Sequence, residues 1–481
     1  MHTLLDAADI ERLREALESA GFREPALRDR YGAEPLAAAR RGDHRALLAA
    51  SDDGDRLSVL VRLFVCRVDE DEVAEALAPL SLEAALAAGL IAETEDGYRA
   101  GLSLEIHGEH WLLSDAPAEA GRGLAADHVL GPAGAAKSMA GYMLRRPVES
   151  ALDVGTGGGV LAFDLSGHAK RVTGTDISRR ALLFAATNAV LNGLDWELLA
   201  GDMLEPVAGR RFDQIVSNPP FIVGPGHGDF DYRDSGRPGD AVCAELAAAA
   251  PGLLNPGGTL QFMANWCHVK GQQWSDRIAG WFAGSGCTVW AIQREVADPL
   301  EYVRFWQRDA AVDHDPHRLA AWLDWFDAND IEAVGFGVVN ARFHGGETSV
   351  VCEDLRHTPE RPFSEVIGDW FDVHARLAEL TPEQLYGARL RLAEGVRLHQ
   401  EAVPGPEGWE VERQLLAASP RVEEIDPLLV SFLGGCDGSV AMRTQVRILA
   451  QAHEADEALL AASLSTVVRR LIRDGFLRIA D

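Results

Sequence analysis

The chain has little cysteine: six residues in 481, Cys66, Cys243, Cys267, Cys287, Cys352 and Cys436, with no Cys-x-x-Cys pair and no Cys/His spacing suited to zinc. Thiols scattered in this way exclude a disulfide scaffold, leave no metal site to expect, and read as buried core groups. Lysine is scarcer still, at three residues, and all Lys and Arg together number 45 against 74 acids, a formal charge of −29. A surface that negative repels phosphate backbones, which weighs against bulk nucleic-acid binding unless a local basic groove overrides it. Nor is there an apolar run near the roughly 18 residues of a membrane span. The opening MHTLLDAADIERLREAL carries charges throughout, so a cytoplasmic chain with no membrane partner is expected. Internal repeats and low-complexity segments are also missing.

What is present is an ordinary globular composition, 47% hydrophobic and 25% charged, long enough for about three domains. Residues 1–120 read as mainly helical, with periodic runs such as IERLREALESAGF. SVLVRLFVCR, EDEVAEALA and SLEAALAAGLI then precede the strand-like DGYRAGLSLEIHG and HWLLSD, an order that resembles a winged helix. Such modules bind nucleic acid, dimerise or hold substrates; this one is acidic, which disfavours DNA. Residues 121–355 alternate strand and helix: VESALDVG, a glycine turn and helix, RVTGTDI, SRRALLFAATNAVLNG, WELLAGDML, FDQIVSN, AVCAELAAAAPGLL and TLQFMANW. That alternation predicts a doubly wound parallel sheet. CTVWAIQRE, AVGFGVVNARF and TSVVCEDL complete it as antiparallel strands, and the helical HRLAAWLDWFDAND is an insertion. Residues 356–481 read as mainly helical again, ending in LSTVVRRLIRDGFLRIAD, a helix running into a short strand that allows a second winged-helix-like module.

Chemistry concentrates at the ends of the predicted strands. Asp153-Val-Gly155-Thr-Gly157-Gly158-Gly159 closes the first strand and opens a helix, a turn in which backbone can approach a ligand and helix N–H groups are exposed. A dinucleotide site or a plain tight turn would look similar. Asp176 ends the second strand in GTDIS, where a carboxylate can accept both hydroxyls of a ribose. Asp202 follows the third in AGDML, where it can receive an adenine amino group while Met203 packs on the ring. Each Asp alone could be a helix cap; three in register after successive strands point to one ligand. Finally SNPPF ends the run FDQIV, and two prolines stop the strand in one stiff conformation.

The set DVGTGGG, GTDIS, AGDML and FDQIVSNPPF resembles the class I S-adenosylmethionine-dependent methyltransferases, and NPPF is similar to the tetrapeptide of their N-methylating branch, which includes the release-factor glutamine methyltransferases and the base N-methyltransferases of RNA and DNA. The resemblance spans roughly 125–300. It implies an α/β fold, a Rossmann-like, doubly wound seven-stranded methyltransferase sheet, here flanked by mainly helical, winged-helix-like N- and C-terminal domains. It implies S-adenosyl-L-methionine as cofactor and S-adenosyl-L-homocysteine as product. Asp153, Gly155, Thr156, Gly157, Gly159, Asp176, Ile177, Asp202, Met203 and Asn218 are the cofactor residues it implies; Asn218, Pro219, Pro220 and Phe221 are the catalytic clamp. A planar amide or aromatic amine is a poor nucleophile because its lone pair is delocalised. If the Asn218 oxygen and the Pro219 carbonyl each accept one N–H hydrogen bond and Phe221 stacks on the planar group, the lone pair turns toward the methyl, and positioning provides most of the acceleration.

For substrate binding, the Gly-rich polar stretch 222–242 reads as a mobile loop over the site, with Arg233 and Arg237 free to meet an acidic partner. Asn265, Trp266 and His268, after the fifth strand, fall at the same rim. The acceptor expected is an amide or amine nitrogen of a protein or peptide gripped by the flanking domains. One alternative is an RNA nucleobase, with the flanking modules as docking elements; another is a small natural product, with His268 as base for a hydroxyl.

Overall fold

The structure, a computed structural model, describes residues 2–51, 54–116, 125, 127–132, 134–226, 236–309, 315–406 and 408–480. It divides into two compact units, Met1–Glu353 and Asp354–Asp481. No helix among the described residues is long and apolar enough to cross a membrane.

The first unit opens with short amphipathic helices at Ala7–Ser19, Glu24–Tyr31, Ala33–Arg40 and Arg45–Ala50. The run RLSVLVRLFVC stays helical but widens to a π-turn over Val61–Cys66, and two single turns, Val73–Leu77 and Leu82–Ala87, follow. The stretch DGYRAGLSLEIHG makes two strands rather than one. Gly97–Ala100 pairs with Ile91–Thr94, and Leu102–His107 pairs with His110–Asp115. The break falls at Gly101, whose N–H donates to the Leu90 carbonyl and whose Cα lies so close to Gly89 that a side chain would strike the backbone.

The central sheet has eight strands, matching the eight strand-like runs of the sequence where the resemblance implies seven: β1 Val148–Val154, β2 Ala169–Asp176, β3 Trp196–Ala200, β4 Phe212–Ser217, β5 Leu254–Val269, β6 Cys287–Ala297, β7 Ile331–Phe343 and β8 Ser349–Asp354. Their order is β8-β6-β7-β5-β4-β1-β2-β3, with β1 to β5 parallel and β7 antiparallel to both β5 and β6. β8, from the run TSVVCEDL, lies at the edge. Parallel strands buried on both faces read as continuous apolar runs, and Ala151, Leu152 and Val154 of β1 are fully buried. Helices cover the sheet: α1 Gly134–Tyr142, α2 Val160–Ser166, α3 Arg179–Leu191, α4 Ala241–Leu253 and α5 Trp274–Trp281. Between β6 and β7 lie two further helices, α6 Pro299–Asp309 and α7 Pro316–Ala328; only the second was legible as an insertion. Because β1 leads outward to β2 and β3 while β4 returns to its other side, the carboxyl ends of β1 and β4 flank the topological switch point, where ligands bind in such sheets.

The N-terminal helices and this sheet share one hydrophobic core, which includes Phe22, Leu63 and Trp111 together with Ala181, Phe184 and Leu191 of α3. Polar contacts reinforce it. Asn188 of α3 accepts from the Leu113 N–H at 2.8 Å and donates to the Leu113 carbonyl at 3.0 Å. Asn192 does the same at Trp111, at 2.9 and 2.7 Å.

The second unit is mixed rather than mainly helical. Helices Phe363–Glu379, Pro427–Gly434, Met442–Ala452 and Glu457–Arg473 pack around Leu390, Phe432, Val446, Val468 and Phe476. The stretch after Arg397 forms a three-stranded meander, Arg397–Gly405, Gly408–Ala418 and Arg421–Glu424. Its alternating charges and apolar residues leave no helical stripe to bury. The expected terminal helix and strand are Glu457–Arg473 and Leu477–Ile479.

Candidate active site

The carboxyl ends of β1 to β4 border one cavity of about 610 Å³. At its floor, Asp153 is buried. Thr156 Oγ1 donates to its Oδ2 at 2.7 Å, while Oδ1 is buried with no hydrogen-bond partner among the described residues. Burial, the largest influence, pushes its carboxyl up to about 7. The chain then turns through Gly155 and Gly157, both at positive φ, and the Gly157 N–H donates to Asp176 Oδ2 at 2.8 Å. The other oxygen of Asp176 accepts from the Ser178 N–H at 2.8 Å. Ser178, not Asp176, caps α3 by accepting from the Ala181 N–H, which leaves the acid to the cavity. Beside it Ile177 is 62% exposed, a flat apolar wall. Met203, which also lines the cavity, sits at φ 45 with its carbonyl held by Thr175 Oγ1 at 3.0 Å. Asp202 completes this half. A buried acceptor without a partner, a fixed carboxylate and two apolar walls fit an ammonium, a ribose and a purine, the parts of S-adenosylmethionine.

The other half starts at β4. Asn218, Pro219, Pro220 and Phe221 all line the cavity, and Asn218 Oδ1 is the second buried acceptor there with no partner among the described residues. Phe221 meets Trp306 edge-on with centroids 6.1 Å apart. Trp306, Phe305, Glu301, Phe336, Val296 and Glu295 form the far wall. None of these was singled out from the sequence, because they arrive from α6 and from antiparallel strands distant along the chain. β6 bulges between Gln293 and Glu295, the local irregularity that re-aims side chains at the rim of a sheet. The spacing of Tyr302 and Trp306 by one helical turn in PLEYVRFWQRD was the one signal available.

Four expectations need correction, and a fifth lies outside what the structure describes. Gly159 does not line the cavity. It sits at φ 93 at the start of α2, and any Cβ there would enter the ring of Trp196, so its role is packing. Trp266 and His268 turn to the opposite face of β5 from Asn265, as the two-residue period of a strand requires. Trp266 stacks on Trp274 at 5.3 Å, and His268 ring nitrogen Nε2 lies 2.8 Å from Gln293 Oε1. Neither reaches the cavity, which removes His268 as a base; Asn265 does line it. Arg237 also lines it but is not free. Its guanidinium pairs with Asp202 at 2.8 Å and with Glu245 at 2.8 Å. Arg233 falls outside the described residues. The cysteines are free thiols, all buried except the half-buried Cys352.

Residues 135–274 match the methyltransferase small domain family. Two domains of unknown function, DUF7059 and DUF7782, match residues 19–101 and 368–479. Among curated relatives, the ribosomal RNA small subunit methyltransferase C of Alcanivorax borkumensis is 33% identical over 129 residues, 27% of this chain and 36% of that protein. The release factor glutamine methyltransferase of Bordetella pertussis is 35% identical over 151 residues, 29% of this chain and 56% of that protein. The chain thus spans less than two thirds of the length of these relatives. Among solved structures, the ribosomal protein L11 methylase of Lactobacillus delbrueckii subsp. bulgaricus is 20% identical, covering 44% of this chain and 77% of its own, at a TM-score of 0.25. Residues 135–274 thus form a methyltransferase-like domain, and its cavity fits S-adenosylmethionine. The tetrapeptide at 218–221 lies within the matched residues.

Proposed function

We propose that the protein transfers a methyl group to an amide or amine nitrogen of a protein or peptide. The observation that carries this is the Asn218 oxygen, buried without a partner among the described residues where the cofactor half of the cavity meets the aromatic half. When bound, the cofactor supplies an electrophilic methyl on a sulfonium. The chain's own part is to hold the acceptor: Asn218 Oδ1 and the Pro219 carbonyl each take an N–H, and Phe221 lies against the planar group. No strong base is required, since the proton can leave to water after transfer.

Charge favours a polypeptide over RNA. Among the described residues the cavity is lined by Asp127, Asp153, Asp176, Asp202, Glu295 and Glu301 against a single guanidinium, Arg237, which is already paired. His128 is driven toward its neutral form by burial. Such a lining attracts a cationic cofactor and an acceptor flanked by basic residues, and it repels phosphates. An RNA base is the second reading, kept because one relative is named for ribosomal RNA methylation. The flanking modules, winged-helix-like in this reading, are then the docking elements.

Asn218→Ala is the test. Turnover is expected to fall on the order of 10²–10³-fold while cofactor affinity stays put, and Asn218→Asp to keep part of the activity because a carboxylate still accepts. Intact-mass analysis of the product should show +14 Da on a peptide. Label found only in RNA would move the acceptor to the second reading, and full activity of the Ala variant at saturating acceptor would remove the clamp.

A further inference from the structure

Behind the tetrapeptide, a buried hydroxyl joins three elements. Tyr302, on α6, is fully buried, and its oxygen accepts from the Val223 N–H at 2.8 Å and from Asn265 Nδ2 at 2.9 Å. Val223 is the second residue after NPPF, and Asn265 lines the same cavity as Asn218 from the neighbouring strand. The segment has other ties to the insertion. Ile222 and Val223 share a small core with Tyr302, Trp322 and Phe326, and Gly224 passes so close to the Trp322 ring that a Cβ would lie 2.9 Å from it.

We propose that Tyr302 is a positioning residue for methyl transfer. It fixes the backbone that follows the prolines, and it holds the Asn265 amide by its NH2 end so that Asn218 and Asn265 present a set pair of amides to the acceptor. Both contacts depend on this one oxygen. Its loss leaves the Val223 N–H and an Asn265 N–H unpaired in a dry interior, and each can regain a partner only by moving. A shift of about 1 Å in a group that orients a nucleophile is enough to lower the rate 10²-fold. The tie also makes the α6–α7 insertion part of the active site, although it lies outside the matched residues 135–274. The inference rests on the N-methyltransferase reading, which its test must separate from it.

The full-length wild type is compared with Tyr302→Phe, Asn265→Ala and the double variant. Tyr302→Phe keeps the ring that fills the core; Asn265→Ala reads the same tie from its other end should the first variant not fold. Each protein receives tritiated S-adenosylmethionine and a pooled peptide library carrying single Gln, Asn, Lys or Arg residues. Backbone exchange over residues 221–224 is followed in parallel by deuterium uptake. Tyr302→Phe is expected to lower kcat at least about tenfold, to leave the cofactor KM within about twofold, and to speed exchange at Val223 about tenfold or more. The double variant should lose no more than the worse single one. Unchanged kcat, a matching rise in cofactor KM, additive losses, or unchanged exchange at Val223 would each overturn the proposal. If even the wild type labels no peptide, the peptide-acceptor reading falls. The exchange arm then decides alone: faster uptake confined to 221–224 keeps Tyr302 as the group that holds the segment, and unchanged uptake discards it.

Discussion

Asp153 places a carboxyl where its charge is disfavoured until a cation arrives. Burial lifts it from the ordinary 3.8 to about 7, so the folded protein binds this proton more tightly than the unfolded chain does. The stability it contributes is complete below the unfolded value and is lost as pH rises through about 7. A bound ammonium or sulfonium reverses the preference by favouring the ionised form. Cofactor affinity should therefore climb between about pH 5.5 and 7, by up to about tenfold per unit. Calorimetry at pH 6 in buffers of different ionisation enthalpy should show close to one proton released, and Asp153→Asn should remove both effects. In the proposed reading Asp176 holds the neighbouring part of the ligand. Asp176→Ala removes a charged acceptor and also frees the Gly157 N–H that it holds. Cofactor binding should weaken by about 1.5–3 kcal/mol; an unchanged dissociation constant would mean that the ribose lies elsewhere.

Elements show which parts of the site could be read in advance. Gly157 and Gly159 look alike in DVGTGGG, yet a Cβ at Gly157 meets nothing within 4 Å whereas at Gly159 it enters Trp196. Gly157→Ala should cost about 1 kcal/mol for its positive φ, and Gly159→Ala about 2–4 kcal/mol, with the denaturation midpoint falling and the slope unchanged. The residues at the ends of β1 to β4 were legible because each is local: an apolar run stops, and a glycine, acid or proline pair follows. Asn265 could have been separated from Trp266 and His268 by the strand period alone, since neighbours on a strand face opposite ways. Glu295 could not, because a bulge breaks that period. Tyr302, Phe305 and Trp306 were illegible for another reason: nothing local ties PLEYVRFWQRD to residues 218–223, some 80 positions earlier. The C-terminal meander was missed because its strands are mostly exposed and bury no continuous apolar face.

For the whole molecule, the N-terminal helices are not a detachable appendage, since their core continues into Phe184 and Leu191 of α3. Removing residues 1–116 should leave an insoluble or unfolded remainder, whereas a chain ending at Glu353 should keep its cofactor affinity within a few-fold. Calorimetry on the two truncations checks both. The asparagine contacts of α3 say something further about solubility. A helix advances about 6 Å in four residues and a strand about 6.7 Å in two, so Asn188 and Asn192 can stand in for two rungs of an absent neighbouring strand. The hairpin ending at Asp115 has its open rungs at Trp111 and Leu113 answered by a helix that cannot extend the ladder. What would otherwise be a template for strand-to-strand association with another chain is closed by a surrogate.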